Sequence, residues 1–170
     1  MRKILVIGSP GSGKSTFSLR LSDILRIPVY HLDNYFWKAD KTIIDRETFL
    51  HDVQAILLED CWIIDGNYGS SMAMRLHYSD TVIFLDYDVE TCLEGIVSRV
   101  GKVRVDIPWV EEVLDPEFYE YVRTFPTEHR PAILDVLKEH EDQEIITLKN
   151  RDEGKVFLQA LETKHGSVDE

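Results

Sequence analysis

The chain has 170 residues, with 19 Lys and Arg against 31 Asp and Glu, and a formal charge of −12. That balance argues against duplex DNA as a direct partner, because nucleic-acid binding needs a basic patch. The length suits one domain with its own core; no apolar run reaches a membrane span, and the stretch after Met1-Arg2-Lys3 is too short for a secretory signal, so a cytoplasmic location is expected.

The apolar run Ile4-Leu5-Val6-Ile7 reads as a buried parallel strand, and Phe17, Leu21, Ile24 and Leu25 recur at helical spacing. Between them lies Gly8-Ser9-Pro10-Gly11-Ser12-Gly13-Lys14-Ser15, the G-x-x-x-x-G-K-[ST] pattern of a phosphate-binding P-loop in its strand–loop–helix context. Its glycines let several backbone N–H groups point at one phosphate, and the helix start adds positive dipole charge. Ser9, Gly11, Ser12, Gly13, Lys14, Ser15 and Thr16 are therefore the expected nucleotide-binding residues, for ATP. Lys14 supplies a point charge for the outer phosphates, and the Ser15 hydroxyl is placed for Mg²⁺.

Val29 to Leu32 reads as a second strand ending in Asp33, and Asn34 to Ile44 as a mobile loop or short helix. Asp45 caps a helix with Phe49, Leu50, Val53, Ile56 and Leu57 on one face. Trp62-Ile63-Ile64-Asp65 is a third strand, followed by the turn Gly66-Asn67-Tyr68-Gly69, and Thr81 to Leu85 a fourth. Asp88 caps the next helix. Gly101 to Pro108 is basic and irregular, and helices are expected at about Trp109–Arg123 and Pro131–His140. Glu144 to Leu148 is the last strand, Val156, Phe157, Ala160 and Leu161 face the core from a closing helix, and 163–170 reads as a polar tail. Strands alternating with helices imply a parallel sheet covered on both faces, with ligands at the carboxyl ends of the strands.

That rule gathers the P-loop, Asp33, Asp65, Asp86 and Asn150 at one end. Asp65 suits either a carboxylate of the Mg²⁺ shell or a cap on the Gly66 turn, with Asp86 and Asp88 as rivals for the first role. Asp33 suits either an acceptor hydroxyl or a turn. Tyr35, Phe36 and Trp37 read first as packing. Arg99, Lys102 and Arg104 cluster in an acidic chain, which fits a lid balancing phosphoryl charge, Arg99 and Arg104 being the candidate catalytic cations alongside Lys14 and Asp33. Arg123 and Arg130 suit either a lid or pairing with neighbouring glutamates, and Asn150-Arg151 is a candidate adenine contact. Cys61 and Cys92 read as free thiols, and His31-x-Asp33 is too common a spacing to signal zinc.

The segments GSPGSGKST, PVYHLDNYFW, WIIDGNYG, TVIFLDYD and GKVRVD, in that order over nearly the whole chain, resemble those of the DNA-topology-modulation (FlaR-like) proteins. These belong to the adenylate-kinase-like group of P-loop nucleoside and nucleotide kinases. HLD-x-x-FW and DGNY are the specific part of the likeness. The resemblance implies a three-layer α/β P-loop NTPase fold, with a five-stranded parallel sheet in the order 2-3-1-4-5. It also implies an acceptor region after strand two and a small lid at about 99–131, within one domain spanning 1–162. It matches Lys14 and Ser15 to the phosphate and Mg²⁺ residues, Asp33 to the acceptor-side aspartate, Asp65 to the strand-three aspartate and Arg104 to a lid arginine. Val105 departs from an expected proline. Pro126-Thr127-Glu128-His129 stands where relatives are strongly basic, which weakens the case for nucleic acid and for further lid cations.

The expected function is a Mg²⁺-ATP-dependent kinase acting on a nucleoside, nucleotide or similar small acceptor. The alternative is an ATP-dependent regulator of DNA topology, acting on DNA or through a partner.

Overall fold

The computed structural model describes residues 1–140 and 142–166. β1 (Lys3–Gly8) lies at the centre of a sheet ordered β2-β3-β1-β4-β5, with β2 (Val29–His31), β3 (Trp62–Asp65), β4 (Thr81–Leu85) and β5 (Glu144–Leu148), every pairing parallel. This is the expected order. Around it stand α1 (Lys14–Leu25), α2 (Leu32–Phe36), α3 (Arg46–Leu57), α4 (Gly69–Tyr78), α5 (Val89–Ser98), α6 (Pro116–Glu128), α7 (Arg130–Lys138) and α8 (Arg151–Gly166).

The inner strands are largely apolar because both of their faces are covered. Successive side chains alternate between two cores. Leu5, Ile7, Ile64, Val82 and Phe84 meet Phe49 and Val53 of α3, Met72 and Leu76 of α4, and Leu137 of α7. Ile4, Val6, Ile63, Ile83 and Leu85 meet Phe17 and Leu21 of α1, with Phe157, Leu158 and Leu161 of α8.

Asp45 caps α3 and Asp88 caps α5, as expected, accepting from Thr48 N at 2.9 Å and Thr91 N at 2.7 Å. Four expectations change. β2 ends at His31, and Leu32 already belongs to α2; beyond Phe36 a turn brings Trp37 and Ile43 into an antiparallel bridge. The helix expected from Trp109 begins at Pro116, where Asp115 accepts from Glu117 N at 2.9 Å and the proline ring presets a first-turn φ. α4 occupies the stretch between the expected Gly66-Asn67-Tyr68-Gly69 turn and β4, where no helix was expected. α8 continues past Thr163 to Gly166, while 167–170 lie outside the described residues. Among the described residues no helix is long and apolar enough to cross a membrane, and both cysteines are free.

Candidate active site

The turn from β1 into α1 opens on the strand ends. Gly11 and Gly13 take φ of 81° and 88°, left-handed values that L side chains rarely adopt. α1 has no side-chain cap and no acidic residue in its first turn, whereas α3 and α5 have both. Its leading N–H groups are donors that a helix start leaves without intrahelical partners, the arrangement that attracts an anion. Lys14 Nζ donates to the carbonyls of Gly8 at 2.9 Å and Ser9 at 3.0 Å. Burial lowers its pKa below the ordinary lysine value, against the opposing pull of Asp65 and Asp33.

Gly95 of α5 was not singled out from the sequence, yet the helix packs directly on the loop through it. A Cβ placed there would stand 2.0 Å from the Gly11 carbonyl oxygen. Gly95→Ala is expected to displace the loop, at about 1–3 kcal/mol of overpacking. Thermal melting with and without ATP checks this; a variant with unchanged Tm and ATP affinity would contradict the close approach.

Asp65 and His31 face each other in the β2–β3 register, at the carboxyl ends of adjacent strands. Both are buried, at 4% and 7% exposure, and His31 Nδ1 lies 2.6 Å from Asp65 Oδ2. Burial opposes charge on His31, but the bond to Asp65, reinforced by the charges of Asp65, Asp106 and Asp33, raises its pKa overall. The two rival aspartates are committed elsewhere. Asp86 accepts from Arg130 at 2.7 and 2.8 Å and from Lys149 at 2.5 Å, and Asp88 is the α5 cap.

Asp33, in the first turn of α2, accepts a hydrogen bond from the Tyr68 hydroxyl. Burial raises its carboxyl above the usual range, and the bond from Tyr68 and the Lys14 charge only partly offset this. Tyr68 follows β3 with a φ of 26°, and its neighbour Asn67 clasps Gly8: Nδ2 donates to the Gly8 carbonyl at 2.9 Å and Oδ1 accepts from Gly8 N at 3.1 Å.

This 66–68 turn is pinned by Arg75 of α4, which is 0% exposed. Its guanidinium donates to the carbonyls of Gly66 at 2.8 Å, Tyr68 at 3.1 Å and Asn67, and Nε to the Ser71 hydroxyl at 3.0 Å. Sequence reasoning missed Arg75, Asn67 and Tyr68 as functional candidates, because the helix that holds them together was not seen. The G-N-Y turn was the visible signal.

Over the cleft, the 99–115 segment brings its cations together with carboxylates. Arg99 Nε lies 2.9 Å from Glu111. Arg104 donates to Glu111 at 2.8 Å and forks onto Asp106 at 2.9 and 2.5 Å. Asp106, 5% exposed, also accepts from the Ser15 hydroxyl at 2.9 Å, so this segment touches the P-loop itself. Burial would raise the Asp106 carboxyl, but Arg104 and Ser15 hold it below the usual carboxylate range. Asn34 Nδ2 donates to the carbonyl of Val105 at 2.9 Å, and Trp37 meets Trp109 edge-on with centroids 5.8 Å apart. Lys102 is exposed. Asp106 and Glu111 are further residues the sequence reading passed over, hidden in a stretch that looked merely basic.

The resulting cleft, of ≈ 1800 Å³, is lined by Gly11 to Thr16, Asp33, Asp65, Arg99, Arg104 and Arg151 among others. Ser9 lies at the buried start of the loop. Asn150 caps α8, accepting from Glu153 N at 2.9 Å. Arg123 pairs with Glu120 on an exposed face, and Arg130 with Asp86 rather than a glutamate. Ser15 and Asp106 form an all-oxygen pair beside the cradle, the donor chemistry a hard divalent cation takes.

Solved structures of similar fold include the shikimate kinase of Acinetobacter baumannii in complex with shikimate, with a TM-score of 0.62 and 15% identity over 96% of this chain and 94% of that one. The shikimate kinase of Bacteroides thetaiotaomicron matches with a TM-score of 0.57 and 15% identity over 95% and 96% of the two chains. The deoxyadenosine kinase of M. mycoides with dCMP bound matches at 0.50 and 17%, over 98% and 100%. No protein-family model matches the sequence, and no curated relative does. The five-stranded parallel sheet and its flanking helices are those of the P-loop kinase fold. At these identities the likeness is one of fold.

Proposed function

We propose that the chain is an ATP-dependent small-molecule kinase of the cytoplasm, moving the γ-phosphoryl group to a hydroxyl or phosphate of a nucleoside, a nucleotide or a similar small acceptor. One observation carries the reading: the phosphate cradle and the Asp33 carboxylate line the same cleft, under a segment that holds Arg99 and Arg104. The resemblance to nucleoside and nucleotide kinases supports it.

The N–H groups from Gly11 to Thr16, with Lys14, would hold the phosphates, and Asn150 and Arg151 the adenine end. The acceptor oxygen attacks the γ-phosphorus as the bond to the β–γ bridging oxygen breaks. For a hydroxyl acceptor, Asp33 takes the proton, and the burial that raises its pKa makes it a stronger base at neutral pH. Arg99 and Arg104 would exchange their carboxylate partners for the oxygens of the moving phosphoryl group. Mg²⁺ would neutralise charge on the outer phosphates when bound, and Ser15, with Asp65 and Asp106, would supply the oxygens to hold it. The segment over the cleft would exclude water, which otherwise competes as acceptor.

The test is ADP release from Mg²⁺-ATP across nucleosides, nucleotides and small metabolites, with supercoiled DNA as one further addition. Stimulation by a small molecule, lost in Asp33→Ala, is the expected result. Stimulation by DNA alone would overturn the kinase in favour of a regulator of DNA topology.

A further inference from the structure

The acceptor end of the cleft can be read for charge and shape. Three rings line it: Trp37 at the end of α2, Tyr68 on the pinned turn, and Trp109 from the segment above. Trp37 and Trp109 meet at 86°, so the upper segment completes an aromatic wall begun by α2. Phe36 backs this wall, with ring centroids 5.2 Å from Trp37 and 4.7 Å from Tyr68. An aromatic corner of this kind offers a ring face on which a planar ring can stack.

Carboxylates gather here, and the arginines beside them are already paired with carboxylates. Asp65 and Asp106 both act on Asp33, and Asp65 and Asp33 on Lys14. A phosphorylated acceptor would need arginines facing this end to balance its own charge. The arginine of the element after β3 is Arg75, and it is fully buried, with its guanidinium committed to the 66–68 carbonyls. Arg99 and Arg104 answer to Glu111 and Asp106, and Lys14 belongs to the phosphate cradle. Lys41, on the exposed 38–42 turn, also lines the cleft.

We infer that the acceptor is a neutral molecule with a planar ring and a hydroxyl, of the nucleoside kind, and not a phosphate monoester. Trp37 and Trp109 hold the ring, and Asp33 with Tyr68 receives the hydroxyl. The acidic surroundings discriminate against a second phosphate by repulsion, a form of selection by what is refused. This inference rests on the kinase reading, but its test is a binding measurement that does not depend on turnover.

Tryptophan fluorescence reports the cleft directly, since Trp37 and Trp109 line it while Trp62 is fully buried in the core. Each nucleoside is titrated against its own 5′-monophosphate, alongside a non-aromatic hydroxy acid, with a non-hydrolysable ATP analogue and Mg²⁺ present. At least one nucleoside is expected to quench the emission and to bind at least about 10-fold more tightly than its monophosphate. Trp109→Ala is expected to lose about 10-fold in that affinity, the equivalent of one stacking contact. Lys41→Ala is expected to leave it unchanged. A monophosphate preferred over its nucleoside overturns the inference and leaves the kinase standing. Nucleoside binding without any ADP release supports the inference and sinks the kinase. Failure of every neutral ring to bind overturns it as well.

Discussion

Arg75→Met is expected to destabilise the protein by about 2–4 kcal/mol, although methionine fills most of the same volume. The Gly66 carbonyl loses a buried hydrogen bond and that of Asn67 a partly buried one, whereas Tyr68 O keeps the Ser71 N–H at 3.0 Å. An unmet buried carbonyl costs about 1–3 kcal/mol, and relief from desolvating the guanidinium offsets part of the sum. Burial already pulls the Arg75 pKa down to about 9, the mark of a charge with little solvent around it. Arg75→Lys is not expected to rescue the fold, because one ammonium cannot span the acceptors that a planar fork reaches. Chemical denaturation of the three proteins checks both statements. A methionine variant as stable as the parent would show that the turn holds its shape unaided.

Lys14→Ala should behave in the opposite way, with a large functional effect and a small structural one. Both of its carbonyl partners keep other donors: Asn67 Nδ2 on Gly8 O, and the Ser12 hydroxyl on Ser9 O at 2.7 Å. Stability is therefore expected to change by less than about 1 kcal/mol. Removing the desolvated cation proposed to meet the outer phosphates is expected to lower the proposed turnover about 10²–10³-fold. Denaturation midpoints together with ADP release measure the two effects separately. Full turnover in this variant would remove Lys14 from the chemistry.

The parts of the chain legible in sequence are those where one local signal suffices. Ile4 to Ile7 and Val82 to Leu85 are unbroken apolar runs, and central parallel strands need nothing more. The P-loop pattern carries its own backbone geometry, and Asp45 and Asp88 announce their helices as caps. α4 has none of these signals. It opens with Gly69-Ser70-Ser71, lacks a side-chain cap, and turns Arg75 toward the interior, where a pattern reading expects a hydrophobe. The late start of α6 was readable from Asp115-Pro116, but Trp109, Val110, Val113 and Leu114 imitate a helical stripe while lying beside the cleft. Asp106 reaches the P-loop through Ser15, 91 residues away, and no local pattern encodes that pairing. His31 and Asp65 are likewise joined only by strand register.

Asn67 and Tyr68 are consecutive residues on a turn clamped from behind by Arg75. One clasps the first glycine of the phosphate cradle and the other bonds the carboxylate on the acceptor side. The separation between the two halves of the cleft is thus gauged by a single peptide unit, like two marks on one short ruler. A domain hinge can close a pocket to many widths; a ruler of this kind admits one. Whatever moves above the cleft, the loop and the Asp33 carboxylate stand at a spacing that the floor has already measured.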